Sequence, residues 1–235
     1  MQSGWTAFAA SWEYLCCCAG TAKRSLAREA RPKDTATSHG LTERDRRRAR
    51  DCCKSIGMTK TAEDLRYPIG RFRAVMPVTS ELRSASIDAI AGLPDRLRAA
   101  VANLDDTQLD TPYRPEGWTI RQVVHHIADS HMNALIRIKL ALTEDTPTIK
   151  PYDEKAWAFL ADMHLPIAVS LGIIDGVHAR WTAVCRAMTA EEFERAFVHP
   201  EVGAQLTLDW QLQNYAWHSH HHLAHITELR RAKGW

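Results

Sequence analysis

The sequence predicts an all-α protein, a four-helix bundle. Apolar residues recur at helical spacing through four long stretches. The connections between them are rich in proline, glycine and polar residues, and few segments alternate as a strand would. Near the C-terminal end, YAWHSHHHLAHI (215–226) packs five histidines into eight residues. Facing helices of a bundle can deliver such side chains to a shared core.

The first long stretch is SELRSASIDAIAGLPDRLRAAVANL (80–104). Gly92-Leu93-Pro94 interrupts it, so it is one kinked helix or two. DDTQLDTPYRPEGW is a connection. TIRQVVHHIADSHMNALIRIKLAL (119–142) is a long helix, and Thr119 with Gln122 forms a capping box at its start. TEDTPTIKPYDEKAW is a loop. Residues 170–188 form the third helical stretch. TAEEFERAFVHPEVGAQ reads as a short helical turn and a loop. Residues 207–234 form the last helix, whose basic tail and Gly234 suit a C-terminus.

Composition divides the chain near Met58. Residues 1–57 hold 11 basic and 6 acidic side chains and five of the six cysteines; residues 58–235 hold 19 basic and 22 acidic. The first 57 residues are expected to be a disordered extension or an over-extended start, and 58–235 the folded domain. A mildly acidic body gives no electrostatic reason to bind nucleic acid. No apolar run is long enough to span a membrane. Cys185 stands alone in the body, which suits a reduced, cytoplasmic protein.

On a helical wheel at 100° per residue, His218, His221, His222 and His225 share a face and His220 points away. Leu208, Leu212, Tyr215, Ile226 and Leu229 make the apolar stripe, with His218 and His222 at or beside it. These two are spaced i, i+4, which lets two imidazoles reach one ion. A divalent ion wants a third ligand, and HHIADSH in the second long helix offers His125, His126 and His131. Periodicity alone favours His131, which falls on its helix's apolar stripe. His126 lies on a polar flank. No glutamate follows His218, so the general-base glutamate of HExxH proteases is absent. Asp129, Asp153 and Glu154 are available as bases, and none is singled out.

Four segments carry a resemblance: YPIGRF (67–72), LDTPYRPEGWTIRQVVHHIADSHMN (109–133), IRIKLALTEDTPTIKPYDEKAW (136–157) and YAWHSHHHLAHITELRR (215–231). They closely resemble the YfiT group of the DinB/YfiT-like superfamily. The resemblance implies a four-helix bundle with up-down-down-up connections and a cytoplasmic homodimer. It further implies one divalent metal per subunit held by three histidines; three imidazoles suit zinc, nickel, iron or copper, and zinc or nickel is expected. Residue by residue these are His126, His218 and His222. The activity implied is metal-dependent hydrolysis of a small-molecule substrate. Wider relatives imply an alternative, transfer of a low-molecular-weight thiol, for which Arg114, Arg121 and Arg137 could hold a charged cofactor. A third reading is a scaffold that metal only staples together.

Overall fold

A computed structural model describes residues 60–235 of the chain, so the expectations for residues 1–57 lie outside the described residues. The helices are α1 (Ala62–Arg66), α2 (Ser80–Ala91), α3 (Leu93–Val101), α4 (Asp106–Leu109), α5 (Ile120–Thr143), α6 (Glu154–Trp157), α7 (Ile167–Ala187), α8 (Ala190–Glu194) and α9 (Leu208–Lys233). A 3-10 turn spans Ala161–His164, and two short strands, β1 (Ala196–His199) and β2 (Ala204–Thr207), precede α9. The four long walls are α2 with α3, α5, α7 and α9. Each of α5 and α2 packs on both α7 and α9, so α2 and α5 sit diagonally across the bundle.

Local chemistry sets the helix ends. Gly92 closes α2 and Pro94 opens α3, where its missing N–H costs nothing, so the interrupted stretch is two helices. The Thr119–Gln122 capping box is formed: the Thr119 amide donates to Gln122 Oε1 at 2.9 Å, and the Gln122 amide donates to Thr119 Oγ1 at 3.1 Å. Thr207 caps α9 by accepting from the Trp210 amide, and Gly234 ends it in the left-handed conformation, φ 72°.

The core has two apolar halves. Val123, Val124, Ile127, Ile174 and Ile226 fill one; Ile90, Ile138, Trp181, Leu212 and Tyr215 fill the other. Between them runs a polar layer. His131 of α5, His178 of α7, and His218 and His222 of α9 fall between the two apolar sets along their helices, and all are buried.

Several elements differ from the sequence expectation: the short helices α4 and α6 form in segments read as a connection and a loop. The third helix starts three residues earlier than 170. The segment read as a loop after α8 is an antiparallel hairpin, with Phe197 opposite Leu206. Four-residue strands are too short for alternation to show. The hairpin is tied to α5: Arg195 donates to the carbonyls of Ala141 and Glu144 at 2.6 and 2.8 Å, satisfying the helix end.

One buried ion pair holds α2 against α9. Arg83 Nε and Nη2 donate to the two Asp209 carboxylate oxygens, both at 2.7 Å, and the Asp209 side chain is only 9% exposed. Arg83→Met is expected to lower stability by about 2–3 kcal/mol, because it strands a buried carboxylate. The double variant Arg83→Met/Asp209→Leu should lose clearly less. Urea unfolding of both variants checks this, and equal losses would contradict it.

Candidate metal centre

Three imidazoles from two helices converge in the polar layer. His126 of α5 and the i, i+4 pair His218 and His222 of α9 are buried, and one ring nitrogen from each lies within 4.8 Å of the others. His126 Nε2 and His218 Nε2 are 3.3 Å apart. A tetrahedral ion with metal–nitrogen bonds of about 2.0–2.1 Å spaces its ligands about 3.4 Å apart. Both ring nitrogens of His222 are buried with no hydrogen-bond partner. Orphaned polar atoms of this kind are costly, and a bound cation removes the cost for the nitrogen that coordinates it. The donor set therefore fits a divalent ion of borderline softness. No fourth His, Cys, Asp or Glu joins this group among the described residues.

His131 lies behind His218, on the far side of its ring from the trio. Its Nε2 is 3.0 Å from His218 Nδ1, and its Nδ1 is 2.9 Å from His178 Nε2. His178 Nδ1 donates to the Ile90 carbonyl at 2.7 Å. A carbonyl can only accept, so the direction of the whole file follows. Neutral His178, protonated at Nδ1, has a lone pair at Nε2, to which His131 Nδ1 donates. His131 Nε2 is then the acceptor for His218 Nδ1–H. His218 is left with a bare lone pair at Nε2, the atom that faces His126. Burial above all, and then the neighbouring histidines, hold His131 and His218 well below the ordinary histidine value; burial also lowers His178.

The other histidines have different work. His125 straps α5 to the segment before α7: its Nε2 donates to the Leu165 carbonyl at 3.0 Å, and its Nδ1 accepts from the Ser170 hydroxyl at 2.6 Å. His225 donates to the Arg66 carbonyl at 3.1 Å and stacks on Tyr113. His221 stacks on Trp217, with ring centroids 4.4 Å apart. His221, His222 and His225 form a second close group, which shares His222 with the first. His220 is exposed, as the wheel expects. Sequence reasoning missed His178: it stands alone in its helix, and only the packing of α7 on α5 brings it to His131.

The acidic candidates separate. Asp153 caps α6 by accepting from the Ala156 amide at 2.9 Å. Asp129 is half-buried, and burial pushes it up to about 6. Burial pushes Glu154 up to about 7, and it lines a cavity whose wall includes His218. Cys185 is inert as a nucleophile, since burial pushes its thiol up to about 12.

Residues 89–226 match the family model of the DinB superfamily. The chain belongs to that superfamily. YfiT of Bacillus subtilis, provisionally named a metal-dependent hydrolase, is 49% identical over 176 residues, covering 74% of this chain and 99% of its own. A provisionally named metal-dependent hydrolase of Bacillus cereus strain B4264 is 52% identical over 172 residues, covering 73% and 99%. The solved structure of B. subtilis YfiT, described as having an unusual four-helix bundle topology, is similar with a TM-score of 0.72 at 50% identity, covering 73% of this chain and 99% of that one. No helix among the described residues is long and apolar enough to cross a membrane.

Two outcomes are expected of the metal-free protein. Long-range nitrogen–proton NMR at neutral pH should find His178, His131 and His218 all protonated at Nδ1; an Nε2–H form of His131 would break the file. Stability should fall with acidification. His125, His131, His178, His199, His218 and His222 all have folded-state values below the ordinary 6.5, with His199 at about 4. Their contribution is complete above about pH 6.5 and is lost as pH falls towards 4. Asp129 and Glu154 are raised and act in the opposite sense, but they are two against seven, since burial lowers His220 as well. Urea midpoints between pH 7.5 and 4.5 should therefore drop, at about 1.4 kcal/mol per pH unit for each net proton taken up. A flat profile would contradict it.

Proposed function

We propose that this protein is a metal-dependent hydrolase of a small-molecule substrate, with one divalent ion, zinc or nickel, held by His126, His218 and His222. The observation that carries the reading is the buried convergence of three imidazole nitrogens with no fourth protein ligand among the described residues. Three protein ligands and an open position are the mark of a catalytic rather than a structural site, which speaks against the scaffold reading. An ion held there supplies Lewis acidity and a coordinated water acid enough to ionise near neutral pH.

The chain's own residues prepare the site. The Ile90 carbonyl, His178 and His131 orient the His218 ring and keep its Nε2 unprotonated. Trp118, with its ring 4.8 Å from that of His126, covers the other side of the trio. Thiol transfer would use the same three histidines. Of the three arginines that could hold a charged thiol, Arg121 is engaged by Asp106 and Asp110, and Arg114 donates to the Pro115 carbonyl. Arg137 is the one that remains. We also take the working unit to be a homodimer. Met132 and Ile136 of α5 and Val169 and Ile173 of α7 leave apolar side chains exposed on two adjacent helices.

The test is elemental analysis and chelator competition on the untagged full chain, with light scattering on the same sample. One ion per subunit and a mass of two chains are expected. His126→Ala, His218→Ala and His222→Ala should each lose the ion. His131→Leu should keep it but bind about 10–100-fold more weakly, since the support for His218 is gone. His131→Gln should bind more tightly than His131→Leu, because its amide can accept from His218 and donate to His178. The loaded protein should hydrolyse members of an ester and amide panel, and the chelated protein should not. If wild type binds no ion the reading fails. Transfer of a small thiol without hydrolysis would replace it with the transferase.

A further inference from the structure

An ion in the trio of His126, His218 and His222 occupies one ring nitrogen of His222 and leaves the other. Both nitrogens are buried without a hydrogen-bond partner, on a residue only 1% exposed. His222 also belongs to a second close group, with His221 and His225. The inner trio is enclosed on two sides, by His131 behind His218 and by Trp118 against His126. The second group extends from His222 towards α1, where His225 meets the Arg66 carbonyl.

His225 is set up as a metal ligand. Its Nε2 lies 3.1 Å from the Arg66 carbonyl, which can only accept, so the proton sits on Nε2 and the lone pair on Nδ1. A backbone carbonyl on the far nitrogen is the usual support of a ligating imidazole. Tyr113 stacks on the His225 ring with centroids 3.9 Å apart, and Trp217 holds His221 in the same way at 4.4 Å. His221 and His225 have the i, i+4 spacing of the inner pair. One ring nitrogen from each of His221, His222 and His225 lies within 4.8 Å of the others. His225 also lines a cavity of about 60 Å³ between α1 and the end of α9, with room for a few waters. Asp64 and Glu228 stand there with Lys60 and Arg231, so charges of both signs meet an arriving cation.

We propose, on the reading of the inner trio as the metal centre, that His221, His222 and His225 form a second divalent-cation site through which the ion passes to and from that centre. A neutral imidazole has one lone pair, so His222 serves an ion in one group at a time. The two sites are therefore alternatives, and the count stays at one ion per subunit. The outer group takes the cation from the α1 side, and His222 stays in the shell while His126 and His218 replace His221 and His225. Each step exchanges one metal–nitrogen or metal–water bond for another, with no change of oxidation state. The inner site is the tighter one. His221 and His222 are consecutive and about 100° apart around α9, so the outer trio closes on an ion less well than ligands from two facing helices.

The experiment mixes the metal-free, untagged full chain with zinc in a stopped-flow instrument, then follows release to a chromophoric chelator. His225→Phe and His221→Phe keep an aromatic ring on Tyr113 and Trp217 and remove a ligand. Each should slow uptake and release together by about tenfold or more, leaving Kd unchanged. A residue on the path changes both rates alike, whereas a ligand of the resting ion changes release and affinity. His220→Phe, on the exposed face, should load at the wild-type rate. A cobalt titration of His126→Ala, which lacks the inner trio, reads the outer group directly. It should show a visible cobalt band in excess metal, too weakly held to survive the chelator, and His126→Ala/His225→Phe should lose the band. This arm serves if the single phenylalanine variants do not fold. Wild-type loading rates in both phenylalanine variants, faster release with weaker affinity, or no cobalt band in His126→Ala would each overturn the proposal. Wild type that binds no zinc sinks the inner centre, whereas the band in His126→Ala decides the outer site by itself, so the two failures are distinguishable.

Discussion

A single carbonyl, that of Ile90, orders the centre of this bundle. Because it can only accept, it fixes His178; His178 fixes His131; His131 fixes His218. The file runs through α2, α7, α5 and α9, one member from each long wall. Burying three imidazoles would be expensive if any nitrogen were left over. Here each ring's proton has a destination, and the one lone pair not used by the file points at His126. The polar layer can sit between two apolar halves because its unsatisfied valence is concentrated at the trio.

That arrangement links stability to chemistry. Side chains that hold a cation must be neutral, and burial keeps them so. The same burial makes the metal-free protein sensitive to acid, because the unfolded chain takes up protons the folded chain refuses. Sites that bind metals through neutral histidines share this coupling. The apolar halves, anchored by residues such as Trp181, Ile127 and Ile226, exclude water from the layer and so strengthen each hydrogen bond in it.

The hairpin and the short helix α6 pack beside the polar layer next to His218. Arg195 fastens the hairpin to the end of α5, which sets His199 across from Arg137. Asp153 caps α6 and so positions Glu154 in the same cavity. The hairpin, which also gives Phe197 and Leu206 to the core, thus joins α6 in supplying polar lining next to His218.

The sequence by itself determined the helical class, the capping box at Thr119, the end at Gly234, and the His218–His222 pair, because each depends on residues within one helical turn of one another. It could also place His220 on the outer face, since a wheel needs only the helix period. Its periodicity favoured His131 over His126, and only the resemblance pointed to His126. A flank position on an isolated helix becomes interior when a neighbour covers it, and only the packing of α9 on α5 brings His126 to the trio and His131 behind it. His178 was invisible as a site residue for the same reason. Its role is set by what lies opposite, a carbonyl on α2, and spacing along a single helix carries no information about that.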